Sequence, residues 1–146
     1  MKNFKLITLL LTLVVVVGSV SCKYENGPTL SLRSKKARVA GSWFLYEIIT
    51  TDEQGKIETE TIVFKEDENV THLYTKDGDY TNTDIYGGNT YISNAKWEFS
   101  DGKSKIKHNY EDGTSESAEI LKLEHKEMWL KLIENNVDYE FHYRAI

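Results

Sequence analysis

The chain reads as all-β: an eight-stranded antiparallel up-and-down barrel preceded by a short helix. Three observations predict this. Eight runs rich in aromatic and β-branched residues follow residue 41. Turn formers separate them, among them Asp77-Gly78, Asp101-Gly102, Asp112-Gly113 and Asn135-Asn136, pairs that tolerate positive φ and so suit tight hairpins. No apolar period of helical length appears beyond that point. Consecutive antiparallel strands bury their faces most readily by closing on themselves; a two-sheet β-sandwich is the alternative.

The elements follow in order. Residues 1–21 have the form of a leader. Lys2 and Lys5 precede Leu6 to Val17, an unbroken run of Leu, Ile, Thr and Val. That run is shorter than the roughly 20 residues that span a bilayer, and it ends in the small residues of a cleavage site. Cys22, the only cysteine, follows directly. This arrangement resembles a bacterial lipoprotein signal, with Ser21 at −1 and Val20 at −2; Ser19 at −3 departs from the commoner Leu. The resemblance implies lipidation of Cys22, with acyl chains of the palmitate class. It also implies residence in the envelope of a Gram-negative bacterium, at the outer membrane because Lys23 is not the Asp that retains such proteins inside. An ordinary secreted protein and an uncleaved anchor are the alternatives.

Residues 22–40 form an acylated tether and short helix. Residues 23–30 hold the only Pro and an Asn-Gly pair, both turn formers. Ser31 is positioned to cap a helix over Leu32 to Ala40, with Lys35, Lys36 and Arg38 near its C-terminal end, where the helix dipole favours cations. Gly41 ends it. Residues 41–146 are the barrel domain. Strands are expected at 42–51, 57–64, 69–76, 91–100, 104–110, 114–124, 127–134 and 137–144. Residues 79–94, rich in Tyr, Asn, Thr and Gly, are expected to be a long loop that either lids one barrel mouth or is an idle excursion.

Charge divides unevenly along this plan. Losing Lys2 and Lys5 with the leader deepens the formal net charge from −5 to −7. Residues 22–40 carry five bases against Glu25, whereas residues 41–146 carry 11 bases against 22 acids. The acidic body excludes nucleic acid as a partner, since phosphate binding needs a basic surface. The basic segment suits anionic headgroups or the body's own acidic floor.

Alternation assigns the faces. Trp97 and Phe99 point inward, as do Ile106, His108 and Tyr110, then Met128 and Leu130, then Tyr139, Phe141 and Tyr143. Charged residues fill the opposite face through mid-strand, unlike a transmembrane barrel with its apolar outer band. By the same parity Glu47 joins Trp43 and Leu45 inside, and His142 lies outside.

Gly41-Ser42-Trp43, after a short helical turn and before eight strands, resembles the first signature of the lipocalins. The resemblance implies that Trp43 closes the barrel floor, that Arg144 packs across it, and that the barrel holds a small apolar or amphipathic ligand. A Thr-Asp-Tyr motif that lipocalins carry in a later turn is missing near residues 125–127. The inward residues Trp97, Phe99, His108, Tyr110, Met128, Leu130, Tyr139, Phe141 and Tyr143 are the candidate ligand lining. A barrel of eight strands either fills with such side chains or holds one small ligand.

Catalytic and metal patterns are missing. His72, His108, His125 and His142 have no ligand spacing; there is no GxSxG, P-loop or Rossmann glycine pattern. The expectation is a binding protein, not an enzyme, with no cofactor and no metal. An envelope interaction protein, using its outer surface or the 79–94 segment against a protein or glycan, is the second reading.

Overall fold

The computed structural model describes residues 33–146. The leader, Cys22 and most of the tether lie outside the described residues.

Helix α1 is one short turn-and-a-half, Lys35–Val39, capped by Ser34, whose hydroxyl accepts from the Ala37 N–H at 3.2 Å. The cap is therefore Ser34, not Ser31, which lies outside the described residues. Nine strands follow: β1 (Gly41–Thr51), β2 (Ile57–Thr61), β3 (Asn69–Tyr74), β4 (Asp79–Tyr86), β5 (Asn89–Ser100), β6 (Lys105–Tyr110), β7 (Ser115–Leu123), β8 (Glu127–Glu134) and β9 (Val137–Ala145). All pairings are antiparallel, and β1–β9 pairing closes the sheet. The ring β1, β3 to β9 is an eight-stranded up-and-down barrel.

The count of eight holds, but its members differ from expectation. β2 and β3 share one edge of β1: Ile57–Thr61 pairs with Glu47–Thr51, and Thr71–Tyr74 pairs with Gly41–Phe44. Between them residues 63–68 leave the ladder, held by a Lys65–Glu68 bridge, and Phe64 packs edge-on against Phe44 at 5.1 Å. The eighth barrel strand is β4, inside the stretch expected to be a loop. Asp79–Tyr86 pairs along Asn89–Lys96 through a turn at Gly87 and Gly88, with φ of 57° and 76°. Two consecutive positive φ values make the hairpin turn, and glycine adopts them without strain. No lid is formed.

The outer face carries charge. Lys105, Glu119, Lys131 and Glu140 stand opposite one another across four neighbouring strands, alternating in sign, an order that favours each cross-strand pair. The inner face divides by height. At the α1 end lie Val39, Trp43, Tyr74, Ile106, Leu123 and Met128, each at most 1% exposed. The Trp43 indole N–H donates to the Val39 carbonyl at 2.7 Å, so the helix is fastened to the barrel floor from inside. Burying a large apolar side chain contributes about 1.5–3 kcal/mol, which makes this end the anchor of the fold.

The basic segment joins the same floor. Arg38 donates to the Leu123 carbonyl at 3.0 Å, Arg33 meets His125 at 2.9 Å, and the Lys36 ammonium lies 5.9 Å from the Trp97 ring centre.

Candidate functional site: a polar cavity in the barrel mouth

Above the packed floor the lumen holds a cavity of about 280 Å³, near the lower end of the ~300–1,000 Å³ of small-molecule sites. Its apolar wall is Leu45, Val70, Ala118, Leu130, Leu132 and Phe141. Its polar wall is His72, Tyr74, Tyr80, Asn82, His108, Tyr110, Glu116 and Tyr143. Two wider depressions, of about 590 and 430 Å³, adjoin the mouth, one where β5 runs on past the end of β6 and one over the β7–β8 rim. Tyr110 borders all three hollows. The inner hollow is the one that buried polar groups surround.

The polar wall is built on strand register. Trp43, His72 and Asn82 succeed one another across β1, β3 and β4; Trp97, His108 and Glu116 do so across β5, β6 and β7. The Tyr74 hydroxyl and His108 Nε2 are 3.0 Å apart; Tyr80 and His72 Nδ1 are 2.9 Å apart. Tyr80 also stacks on His108 at 4.1 Å. Burial pushes the His108 imidazole down to about 4, and burial with the neighbouring His108 pushes His72 down to about 3. Both rings are neutral at ordinary pH. Burial likewise raises the Tyr74, Tyr80 and Tyr143 phenols, so they stay protonated. Glu116 stands exposed at the rim by surface area, yet crowding protein atoms, and then Glu134, raise its carboxyl above the usual value.

Two polar atoms of this wall are buried without a hydrogen-bond partner: His108 Nδ1 and Asn82 Oδ1. An unpaired buried polar atom costs about 1–3 kcal/mol. His108 and Asn82 both border the cavity, so its wall carries hydrogen-bonding capacity that the protein itself does not use.

Of the expected lining, His108, Tyr110, Leu130, Phe141 and Tyr143 border the cavity. Trp97 and Met128 are buried below it, Phe99 packs edge-on against Trp97 at 5.4 Å, and Tyr139 lies beside Phe141 at 6.2 Å without reaching it. Sequence reasoning missed His72, Tyr74, Tyr80, Asn82 and Glu116. The Gly87-Gly88 pair was the available signal for Tyr80 and Asn82, because it announces the hairpin that turns them inward.

Two expectations fail at one place. A β-bulge between Leu45 and Glu47 shifts the register against β9, so Glu47 faces outward, not inward. There its carboxylate meets His142 Nδ1 at 2.7 Å, while Glu140 meets Nε2 at 2.6 Å. His142 is on the outer face as expected but is buried, stacked on Trp129 at 4.3 Å. Arg144 does not cover Trp43. It is exposed on the outer face with its guanidinium 4.8 Å from the Tyr46 ring centre, because alternation turns it away from the floor. Among the described residues no cluster of three His, Cys, Asp or Glu is placed to hold a metal.

The molecule is thus a small up-and-down β-barrel, sealed at one end and holding a partly polar cavity at the other. Among solved structures, a redesigned β-barrel is similar over 80% of this chain and 99% of its own, at 8% identity and a TM-score of 0.47. A deswapped triple mutant of bovine odorant binding protein is similar over 77% of this chain and 75% of its own, at 11% identity and a TM-score of 0.44. No protein-family profile and no curated protein sequence matches the chain.

Proposed function

We propose that this chain is a lipocalin-like binding protein, not an enzyme, that takes a small molecule into the barrel mouth. The observation that carries the reading is the cavity of about 280 Å³ with two unpartnered buried polar atoms in its wall. Gly41 and Trp43, placed between a short helix and the first barrel strand, support the likeness to lipocalins. Native mass spectrometry of gently extracted protein tests it: a retained small molecule is expected, and Leu130→Trp, which fills the cavity, should release it. Failure to retain or bind any small molecule overturns the reading.

The proposal includes lipidation at Cys22 and anchorage in a Gram-negative envelope, at the outer membrane. The leader, its small-residue end and the placement of Cys22 support this. Two or three acyl chains hold durably, since each buried methylene contributes about 0.8 kcal/mol. Incorporation of labelled palmitate, lost in Cys22→Ala, is the measurement; label that persists in the variant refutes it. The described chain enters the barrel at its sealed end, where Arg33 meets His125 of the β7–β8 turn. Anchored there, the mouth faces away from the lipid.

A second reading rests on the β4–β5 hairpin tip, where Tyr86, Tyr91 and Ile92 are each at least 60% exposed. Such a tip suits contact with an envelope protein or glycan. Replacing Tyr86 and Tyr91 by Ser should abolish partner capture; unchanged capture excludes the tip.

A further inference from the structure

The cavity wall has acceptors and one carboxylate, Glu116, and among the described residues no Lys or Arg borders it. Three carboxylates occupy lumen-side register positions toward the mouth: Asp84, two residues beyond Asn82 on β4; Glu116, opposite His108; and Glu134, two residues beyond Leu132 on β8. Glu116 and Glu134 lie close enough to repel each other's charge. Deeper in, His108 is 4% exposed and its Nδ1 has no partner; neither has Asn82 Oδ1. A neutral imidazole has one donor and one acceptor nitrogen. In the tautomer whose Nε2–H donates to the Tyr74 oxygen, Nδ1 presents a lone pair. The rings of Tyr80, Tyr110, Phe141 and Tyr143 complete the wall.

Each class of ligand meets this wall differently. A carboxylate entering here leaves water to face Glu116 with nothing to neutralise it, and burial of an unpaired charge is strongly unfavourable. A protonated amine meets a carboxylate, phenol and amide oxygens and aromatic faces, all attractive to a cation. The acidic rim also concentrates cations at the entrance before any contact is made. A cavity of this size has room for a compact body of one or two rings.

We propose that the barrel selects a small organic cation: a protonated primary amine on an aromatic body, with the ammonium held between Glu116, Asn82 and His108. This rests on the small-molecule reading above and specifies its chemistry.

Three probes that share one indole body separate the two claims by calorimetric titration of the full chain: tryptamine, neutral 3-ethylindole and anionic indole-3-propionate. Tryptamine is expected to bind at least roughly tenfold tighter than 3-ethylindole, a ratio typical of one added charge-assisted contact, with indole-3-propionate weakest. Glu116→Gln should bring the ratio of tryptamine to 3-ethylindole affinity close to one. Glu116→Lys should reverse the order in favour of indole-3-propionate. Equal binding of all three, or tightest binding of the anion by the unaltered chain, overturns the cation inference while leaving small-molecule binding intact. Binding of none overturns both. Glu116 is at the rim, so circular dichroism of each variant should match the parent; a variant that binds 3-ethylindole normally is folded at the site.

Discussion

Two histidine clusters sit back to back on this barrel, and their partners give them opposite characters. Inside, His72 and His108 touch phenol hydroxyls, remain neutral and leave His108 Nδ1 unused. Outside, His142 is stacked on Trp129 and offers both nitrogens to carboxylates, Glu47 and Glu140. Nearby, Glu127 accepts from Tyr46, Lys122 and Trp129 at 2.9, 2.6 and 3.1 Å. The outer cluster spends its hydrogen-bonding capacity on itself and ties β1, β7, β8 and β9 together. The inner cluster holds capacity in reserve. A buried histidine therefore marks a binding site only where its surroundings fail to complete it.

Acid gives the sharpest separation. An imidazole whose folded value is depressed favours the unfolded state as pH falls: the unfolded ring takes its proton near 6.5, the folded one only near 4 for His108 and near 3 for His72. Stability is thus full above pH 6.5 and drains from there down to about 4 for His108 and about 3 for His72. The expected loss at pH 4 is about 3 kcal/mol per imidazole, at ~1.4 kcal/mol per unit. Urea midpoints at pH 7 and pH 4 measure it, and the doubly substituted His72→Phe, His108→Phe chain should flatten the curve. If the steepness survives that replacement, the neutral inner cluster is not its source.

The outer cluster should respond to deletion instead. His142→Ala removes the ring stack and leaves two carboxylates without their shared partner, an expected cost of about 2–3 kcal/mol in denaturant unfolding at pH 7. By contrast, the doubly substituted Tyr74→Phe, His108→Phe chain at pH 7 should shift stability by less than about 1 kcal/mol, because it removes both partners of a buried hydrogen bond together with the unpaired Nδ1. Comparable losses for the two would erase the distinction between a completed and an uncompleted cluster. Smallest of all, Lys131→Ala, which breaks the 2.5 Å pair with Asp138 on the outer wall, should cost under about 1 kcal/mol, and less in high salt.

Much of this was legible in the residues. Period-2 alternation placed His108, Tyr110, Leu130, Phe141 and Tyr143 on the lumen side because β6, β8 and β9 run without interruption there. It misplaced Glu47 because a bulge inserts one residue without any mark in composition; nothing about Tyr46 announces it. It missed β4 because Asp79–Tyr86 places a run of short polar residues, Thr81 to Asp84, between its two tyrosines, a pattern that resembles a loop until Gly87-Gly88 is taken as a hairpin turn. And it could not show that Trp97 and Met128 lie below the cavity: parity gives the face of a strand, while height within the barrel depends on shear between strands.

The broken strand carries one last consequence. A closed barrel ordinarily has no edges, but among the described residues β2 pairs with β1 alone, so five residues present a bare ladder of amides and carbonyls to whatever comes near. Strands of this kind are templates for stacking one molecule onto the next. Here the exposed ladder reads Ile57, Glu58, Thr59, Glu60, Thr61. Two copies meeting edge to edge would bring carboxylate against carboxylate, so the same acidity that fills the mouth also guards the seam against self-assembly.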